Sequence, residues 1–142
     1  MKYRVSSHNK QDCRYHIVWI TKYRRRCLSS GMQARLADIL HEIANEMYVD
    51  VIKIWMEEDH VHMYVNIPVS QYIPYVVKKL KWISAKKIRE EFKDELKEYF
   101  WNPVLRAVGY FICTVWEIND KLIREYVEAQ WRKDALEDGF DV

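Results

Sequence analysis

The sequence predicts an α+β domain: an antiparallel sheet in β-α-β-β-α-β order with helices on one face, plus an additional C-terminal helix. Three observations carry this. Short runs of aromatic and β-branched residues read as strands, two longer stretches repeat apolar residues at helical spacing, and turn signals separate them without a linker or low-complexity segment. At 142 residues the chain is long enough for one domain, 1–142, with its own core. A hydrophobic content of 49% with 31% charged residues belongs to an ordinary globular protein.

The first strand is Cys13-Arg14-Tyr15-His16-Ile17-Val18-Trp19-Ile20. The basic run Lys22-Tyr23-Arg24-Arg25-Arg26 follows as a loop. Ser29 or Ser30 can cap a helix whose apolar stripe is Met32, Leu36, Ile39, Leu40, Ile43 and Met47. A second strand runs near 49–56, and Glu57-Glu58-Asp59 turns into a third. Pro68 ends that third strand. A helix then begins around Pro74, with Val77, Leu80, Ile83 and Ile88 inward. A looser stretch carries Tyr99 to Pro103, Gly109 precedes a fourth strand over 110–115, and Asn119 or Asp120 caps a final helix to about Leu136. The order is that of the split-βαβ, ferredoxin-like or RRM-like arrangement, in which the first and third strands are central.

The third strand carries the most informative residues. In His60-Val61-His62-Met63-Tyr64-Val65-Asn66-Ile67, alternate side chains share a face. Val61, Met63, Val65 and Ile67 make an apolar face. His60, His62, Tyr64 and Asn66 make the other, with two imidazoles side by side at a spacing one metal ion can bridge. In the final helix Tyr126 and Gln130 lie four residues apart and share a face, next to a packing stripe of Ile123, Val127 and Trp131. A tyrosine or a glutamine at helical spacing is by itself more often core or surface than chemistry. His16 reads as structural.

Composition bounds the partners and the compartment. Three scattered cysteines, Cys13, Cys27 and Cys113, with no CxxC, suggest reduced thiols and a cytoplasmic protein. No apolar signal region opens the chain and no stretch approaches membrane-spanning length, so no membrane role is expected. A net charge of +2 argues for nothing alone, but the charge is segregated. Lys22, Arg24, Arg25 and Arg26 form one cluster and Lys78, Lys79, Lys81, Lys86, Lys87 and Arg89 another, while acids gather elsewhere. Such segregation allows a positive groove on a nearly neutral protein.

Four segments, in order across nearly the whole chain, resemble the single-tyrosine HUH transposases of small insertion sequences that move as single-stranded DNA (TnpA-like). They are Tyr15–Trp19 through Thr21–Arg25, the Asp59-His60-Val61-His62 motif, Gly109-Tyr110-Phe111 with Thr114-Val115, and Tyr126-Val127-Glu128-Ala129-Gln130. The chain departs from the family pattern at Glu58, where a proline is usual, and at Trp116, where a small residue is common.

The resemblance implies a divalent ion, Mg²⁺ or Mn²⁺, held by His60, His62 and Gln130. It implies Tyr126 as the nucleophile that cleaves single-stranded DNA through a 5′-phosphotyrosine and then rejoins it. It further implies recognition of DNA hairpins at element ends, with both basic clusters on phosphates, and a homodimer whose active sites combine the histidines of one subunit with the tyrosine of the other. A replication initiator or relaxase is a rival, but relaxases are usually much longer. A non-cleaving hairpin-binding module with the same fold is the alternative from another class, and a metal-binding protein without nucleic acid is a third.

Overall fold

The computed structural model describes residues 13–97 and 109–114, the backbone of 4–5 and 10–11, and helical residues 124–126, 128–129 and 132–133. Two short strands, β1 (Arg4–Val5) and β2 (Lys10–Gln11), pair with each other. The main sheet follows: β3 (Arg14–Ile20), β4 (Asp50–Met56), β5 (His60–Asn66) and β6 (Phe111–Thr114). Its order is β4-β5-β3-β6 with every neighbour antiparallel, so β3 and β5 are central as expected from the split-βαβ order.

Helix α1 (Ser30–Glu46) starts where Ser29 accepts a hydrogen bond from the Met32 amide at 3.4 Å, which identifies the cap. Helix α2 (Ile73–Glu91) has Pro74 in its first turn, where no amide donor is needed, and a short helix α3 (Lys93–Leu96) follows. The apolar stripes of α1 and α2 pack with Ile17 and Trp19 of β3 and with Val61, Met63 and Val65 of β5. Ile39, Leu40, Met63, Leu80 and Ile88 are fully buried there, each contributing about 1.5–3 kcal/mol of transfer free energy. The helices therefore cover one face of the sheet. The histidine face is the other, and a smaller cluster of Val18 and Ile20 with Phe111 and Tyr126 partly covers it.

Two details depart from the sequence reading. The basic run after β3 is a 3-10 turn (Lys22–Arg24), with Tyr23 and Arg24 at positive φ of 59° and 53°. Lys81, grouped with the surface lysines, is buried and donates to the carbonyl of Gly109. It stands four residues after Val77 and seven before Ile88, on the packed stripe, and its ammonium finds a partner where β6 is about to begin. Gly109 itself has a φ of 93°, which a side chain would disfavour. The segment around Tyr99–Pro103, the cap at Asn119 or Asp120, Trp116 and the stripe of Ile123, Val127 and Trp131 lie outside the described residues, as does Gln130.

Candidate active site

The strand register sets the site. His62 lies opposite Val18 of β3 and Trp55 of β4, and His60 lies opposite Ile20. Paired residues share a face, so His16, Val18, Ile20, Trp55, His60 and His62 all project away from the helices. A β-bulge between Val51 and Lys53 makes this possible for Trp55. Without the extra residue, Ile54 would face His62 and Trp55 would turn to the helix side.

The two imidazoles sit side by side, with ring centroids 4.7 Å apart. Each has its Nδ1 committed to an internal partner. His60 Nδ1 meets Asp59 Oδ1 at 2.6 Å, and His62 Nδ1 lies 3.2 Å from His16 Nε2. Nε2 is thus the ring nitrogen left for a ligand on both, the arrangement by which a carboxylate or a second polar group orients a metal-binding histidine. His62, His16 and Trp55 also stack, with centroid separations of 4.8, 5.0 and 5.3 Å and interplanar angles of 23° or less. Lys53 lies over the Trp55 ring at 5.1 Å. His16 is 1% exposed. The sequence reading set it aside as structural, and the structure makes it the residue that holds His62. Only its place on the strand paired with β5 could have signalled this.

Electrostatics suit an ion. Burial, reinforced by the His60 and His16 rings, pushes the His62 imidazole down to about 3, so it is neutral and able to ligate at physiological pH. Burial alone would raise the Asp59 carboxyl. The hydrogen bond and charge of His60, together with Arg24, outweigh it and hold Asp59 below the usual carboxylate range. The His62 shift has a consequence for stability. Between about 3 and 6.5 the unfolded chain binds a proton at His62 that the folded chain does not, so stability falls as pH drops through that window. Thermal melts of the metal-free protein should show Tm declining from pH 6.5 downward, with a shallower slope in His62→Phe. An unchanged slope would contradict a neutral, buried His62.

Among the described residues no three His, Cys, Asp or Glu side chains converge on one point. If His60 and His62 hold a divalent ion, His16→Phe should preserve ring packing but remove the polar contact to His62, lowering the ion's affinity by about 10–100-fold in a titration read by calorimetry. Unaltered affinity would assign His16 to packing alone.

An open cleft of about 400 Å³ lies over the pair, lined by Arg24, Arg26, Glu57, Asp59, His60, His62 and Arg124. Arg124 and Tyr126 belong to the same helical stretch. The Tyr126 ring packs on Phe111 at 5.8 Å and against Val18 and Ile20. Since Val18 pairs with both His62 and Phe111, one chain brings Tyr126 and the histidine pair to the same face of its own sheet.

The basic turn closes the cleft's edge. Thr21 donates from its amide to Asp59 O at 2.9 Å and from its hydroxyl to Arg25 O at 2.7 Å, tying the turn to the Asp59 corner. Arg24 reaches Asp59 at 3.4 Å and Glu128 at 3.2 Å. Arg26 pairs with Glu58 at 2.8 Å, which gives the residue in place of the family's proline a partner. Lys22 and Arg25 both lie 5.4 Å from the Tyr23 ring centroid. Two left-handed non-glycine residues in succession cost on the order of 1–2 kcal/mol each.

The second cluster is elsewhere. Lys78 and Lys86 are exposed on α2, with Lys79, Lys87 and Arg89 partly so, and α2 packs on the sheet face opposite the histidines. Lys79 lies over Tyr75 at 5.2 Å and Lys86 over Trp82 at 5.9 Å. These side chains lie on the helical layer, on the side of the sheet away from the histidine pair.

Residues 9–130 match the family model described as "Transposase IS200 like". The chain is 36% identical over 120 residues to the ISDra2 transposase TnpA of Deinococcus radiodurans, covering 84% of this chain and 85% of that protein. It is 28% identical over 130 residues to the transposase for insertion sequence element IS200 of Salmonella typhimurium, covering 92% and 84%. Among solved structures, a transposase candidate from Deinococcus radiodurans superposes with a TM-score of 0.82 at 30% identity, covering 89% of this chain and 97% of that one. A REP-associated tyrosine transposase bound to a REP hairpin shares the fold, with a TM-score of 0.54 at 11% identity and coverage of 99% and 76%.

Proposed function

The chain belongs to the family of IS200-like transposases, and from that premise we propose that it cleaves and rejoins single-stranded DNA at the ends of an insertion sequence through a 5′-phosphotyrosine on Tyr126. The observation that carries this reading is the convergence of Tyr126 and the His60–His62 pair on one sheet face, with each histidine's Nδ1 engaged internally.

In this reading the Tyr126 phenol oxygen attacks the scissile phosphorus. The phenol proton is lost, the bond to the 3′-oxygen breaks, and a 3′-hydroxyl departs while the 5′ phosphate stays on the tyrosine. Attack by a 3′-hydroxyl of another strand reverses the chemistry and frees Tyr126. The covalent bond conserves the phosphodiester, so no nucleotide cofactor is consumed. A bound Mg²⁺ or Mn²⁺ would supply Lewis-acid polarisation and orientation of the phosphate. His60, His62 and Gln130 would hold it, and imidazole donors favour Mn²⁺ on softness. Asp59, His16 and Trp55 keep the two rings in place. Arg26 and Arg124 line the approach to the cleft and would contact phosphates.

Hairpin recognition enters the proposal through the family and the REP-hairpin relative. Lys78, Lys79, Lys86, Lys87 and Arg89 would serve DNA on the helical layer, away from the cleavage point. A homodimer with shared active sites is also part of the reading, and in it the tyrosine helix leaves the position it holds here on its own sheet. A cytoplasmic location is part of the reading, and among the described residues no helix is long and apolar enough to cross a membrane.

The test is incubation with end-labelled single-stranded DNA from the regions flanking the gene, with Mg²⁺ or Mn²⁺, followed by a denaturing protein gel. The expected result is a metal-dependent covalent adduct. Hairpin binding with no adduct in either metal would favour the non-cleaving module instead.

A further inference from the structure

We propose that Trp55 and Lys53 form a nucleotide subsite beside the histidine pair, where an unpaired base of the DNA strand stacks on the indole and Lys53 holds a neighbouring phosphate; the inference rests on the function proposed above. His16 Nε2 and His62 Nδ1 lie 3.2 Å apart, with ring centroids 5.3 Å apart and planes 20° from parallel. The two imidazoles therefore meet edge to edge in one layer. The Trp55 indole lies flat on that layer, at 9° to His62 and 23° to His16, with centroids 4.8 and 5.0 Å away. One face of the indole is thus taken. Lys53 Nζ lies over the ring at 5.1 Å, and an ammonium does not fit between stacked rings, so it sits against the other face.

That other face suits a base. The bulge between Val51 and Lys53 turns both Lys53 and Trp55 onto the histidine side of the sheet, away from the core that would otherwise take an indole. Trp55 is partly exposed and Lys53 fully so. Among the described residues the Lys53 ammonium is in no ion pair, whereas Arg24 is held by Asp59 and Arg26 by Glu58. An exposed lysine over an indole is a weak cover, and a base, with a flat π-face of its own, displaces it. The freed ammonium then stands beside the base, where that nucleotide's phosphate lies. Trp55 is paired with His62 across the strands, so a base on its outer face and a phosphate at the histidines belong to neighbouring nucleotides. Lys53 is the basic residue of β4, and Arg24, Arg26 and Arg124 line the cleft. Every residue of the subsite is on β3, β4 or β5 of one sheet, so it is the same whichever subunit supplies the tyrosine.

The test is an abasic scan. Single-stranded DNA from the regions flanking the gene is given one abasic site at a time, and affinity is read by gel shift without metal, so that no cleavage is needed. One abasic position should weaken wild-type binding by about tenfold, the loss expected when one stacked base is removed. Trp55→Leu should weaken binding to the intact strand by a similar factor and become indifferent to that position, because each change removes the same contact. A purely structural Trp55 predicts instead a variant as sensitive to each abasic site as the wild type, and that result overturns the proposal. Lys53→Ala, at an exposed position, should lower the salt slope of binding by about 0.7, and an unaltered slope overturns the phosphate contact. The wild-type chain gives a further readout that needs no variant to fold. 2-Aminopurine at the sensitive position should be quenched on binding more strongly than at its neighbours, and uniform quenching along the strand overturns the stack. A wild-type protein that binds but forms no adduct with either metal refutes the proposed cleavage, while the metal-free scan still decides whether Trp55 and Lys53 hold a nucleotide.

Discussion

Tyr126→Phe is expected to abolish covalent attachment to single-stranded DNA, lowering strand cleavage by about 10⁴-fold or more, the scale on which enzymes lose rate when a nucleophile is deleted. Only the hydroxyl is lost. The ring that packs on Phe111, Val18 and Ile20 is retained, so the variant should fold and keep its hairpin affinity. The measurement pairs a denaturing gel for the adduct with a gel shift for binding. A Phe variant that still forms an adduct would remove Tyr126 from the nucleophile's role. Loss of adduct and binding together would mean that the hydroxyl is needed for structure, and near-unaltered thermal melts exclude that.

His62→Ala carries the second large effect. It removes one of the two proposed ligands, the stacking partner of Trp55 and the contact with His16 in one step. Divalent-ion binding should fall by more than the 10–100-fold typical of losing a supporting residue, and the adduct should disappear in Mg²⁺ and Mn²⁺ alike. His60→Ala should act in the same direction, and it leaves Asp59 with Arg24 as its described charged partner. Calorimetric titration with Mn²⁺ separates the outcomes. Full activity in either variant, with metal affinity intact, would sink the assignment of the pair as ligands. His62→Gln offers an amide in place of the imidazole and a check that loss of the ring has not simply disordered the sheet.

Much of this was legible in the chain. Period-two alternation placed His60 and His62 on one face and Val61, Met63 and Val65 on the other, because strand geometry is local and the core demands one apolar side. Helical periodicity found α1 and α2, and element order then predicted which strands are central. The Asp59-His60-Val61-His62 and Tyr126 segments were readable for a related reason: each is a short pattern of neighbouring residues in the sequence.

What the tertiary structure alone decided are relations between elements. The bulge after Val51 turns Trp55 toward His62, and nothing in the composition of β4 marks it. His16 became the support for His62 only through the β3–β5 register. Lys81 looked like its neighbouring lysines because sequence shows charge and not direction, although its spacing from Val77 and Ile88 lay on the packed stripe. Arg24 read as one more cation in a basic loop. Its two carboxylates come from positions 59 and 128, and only the folded sheet brings them together. The sequence by itself determined the four strands of the main sheet, the two long helices, their faces and the chemical types at the site, because these follow from backbone periodicity and side-chain chemistry; the short strands β1 and β2 and helix α3 were not read from it. Which side chains orient, clamp or leave the site was settled by strand register and packing, since those contacts join residues that no local pattern relates.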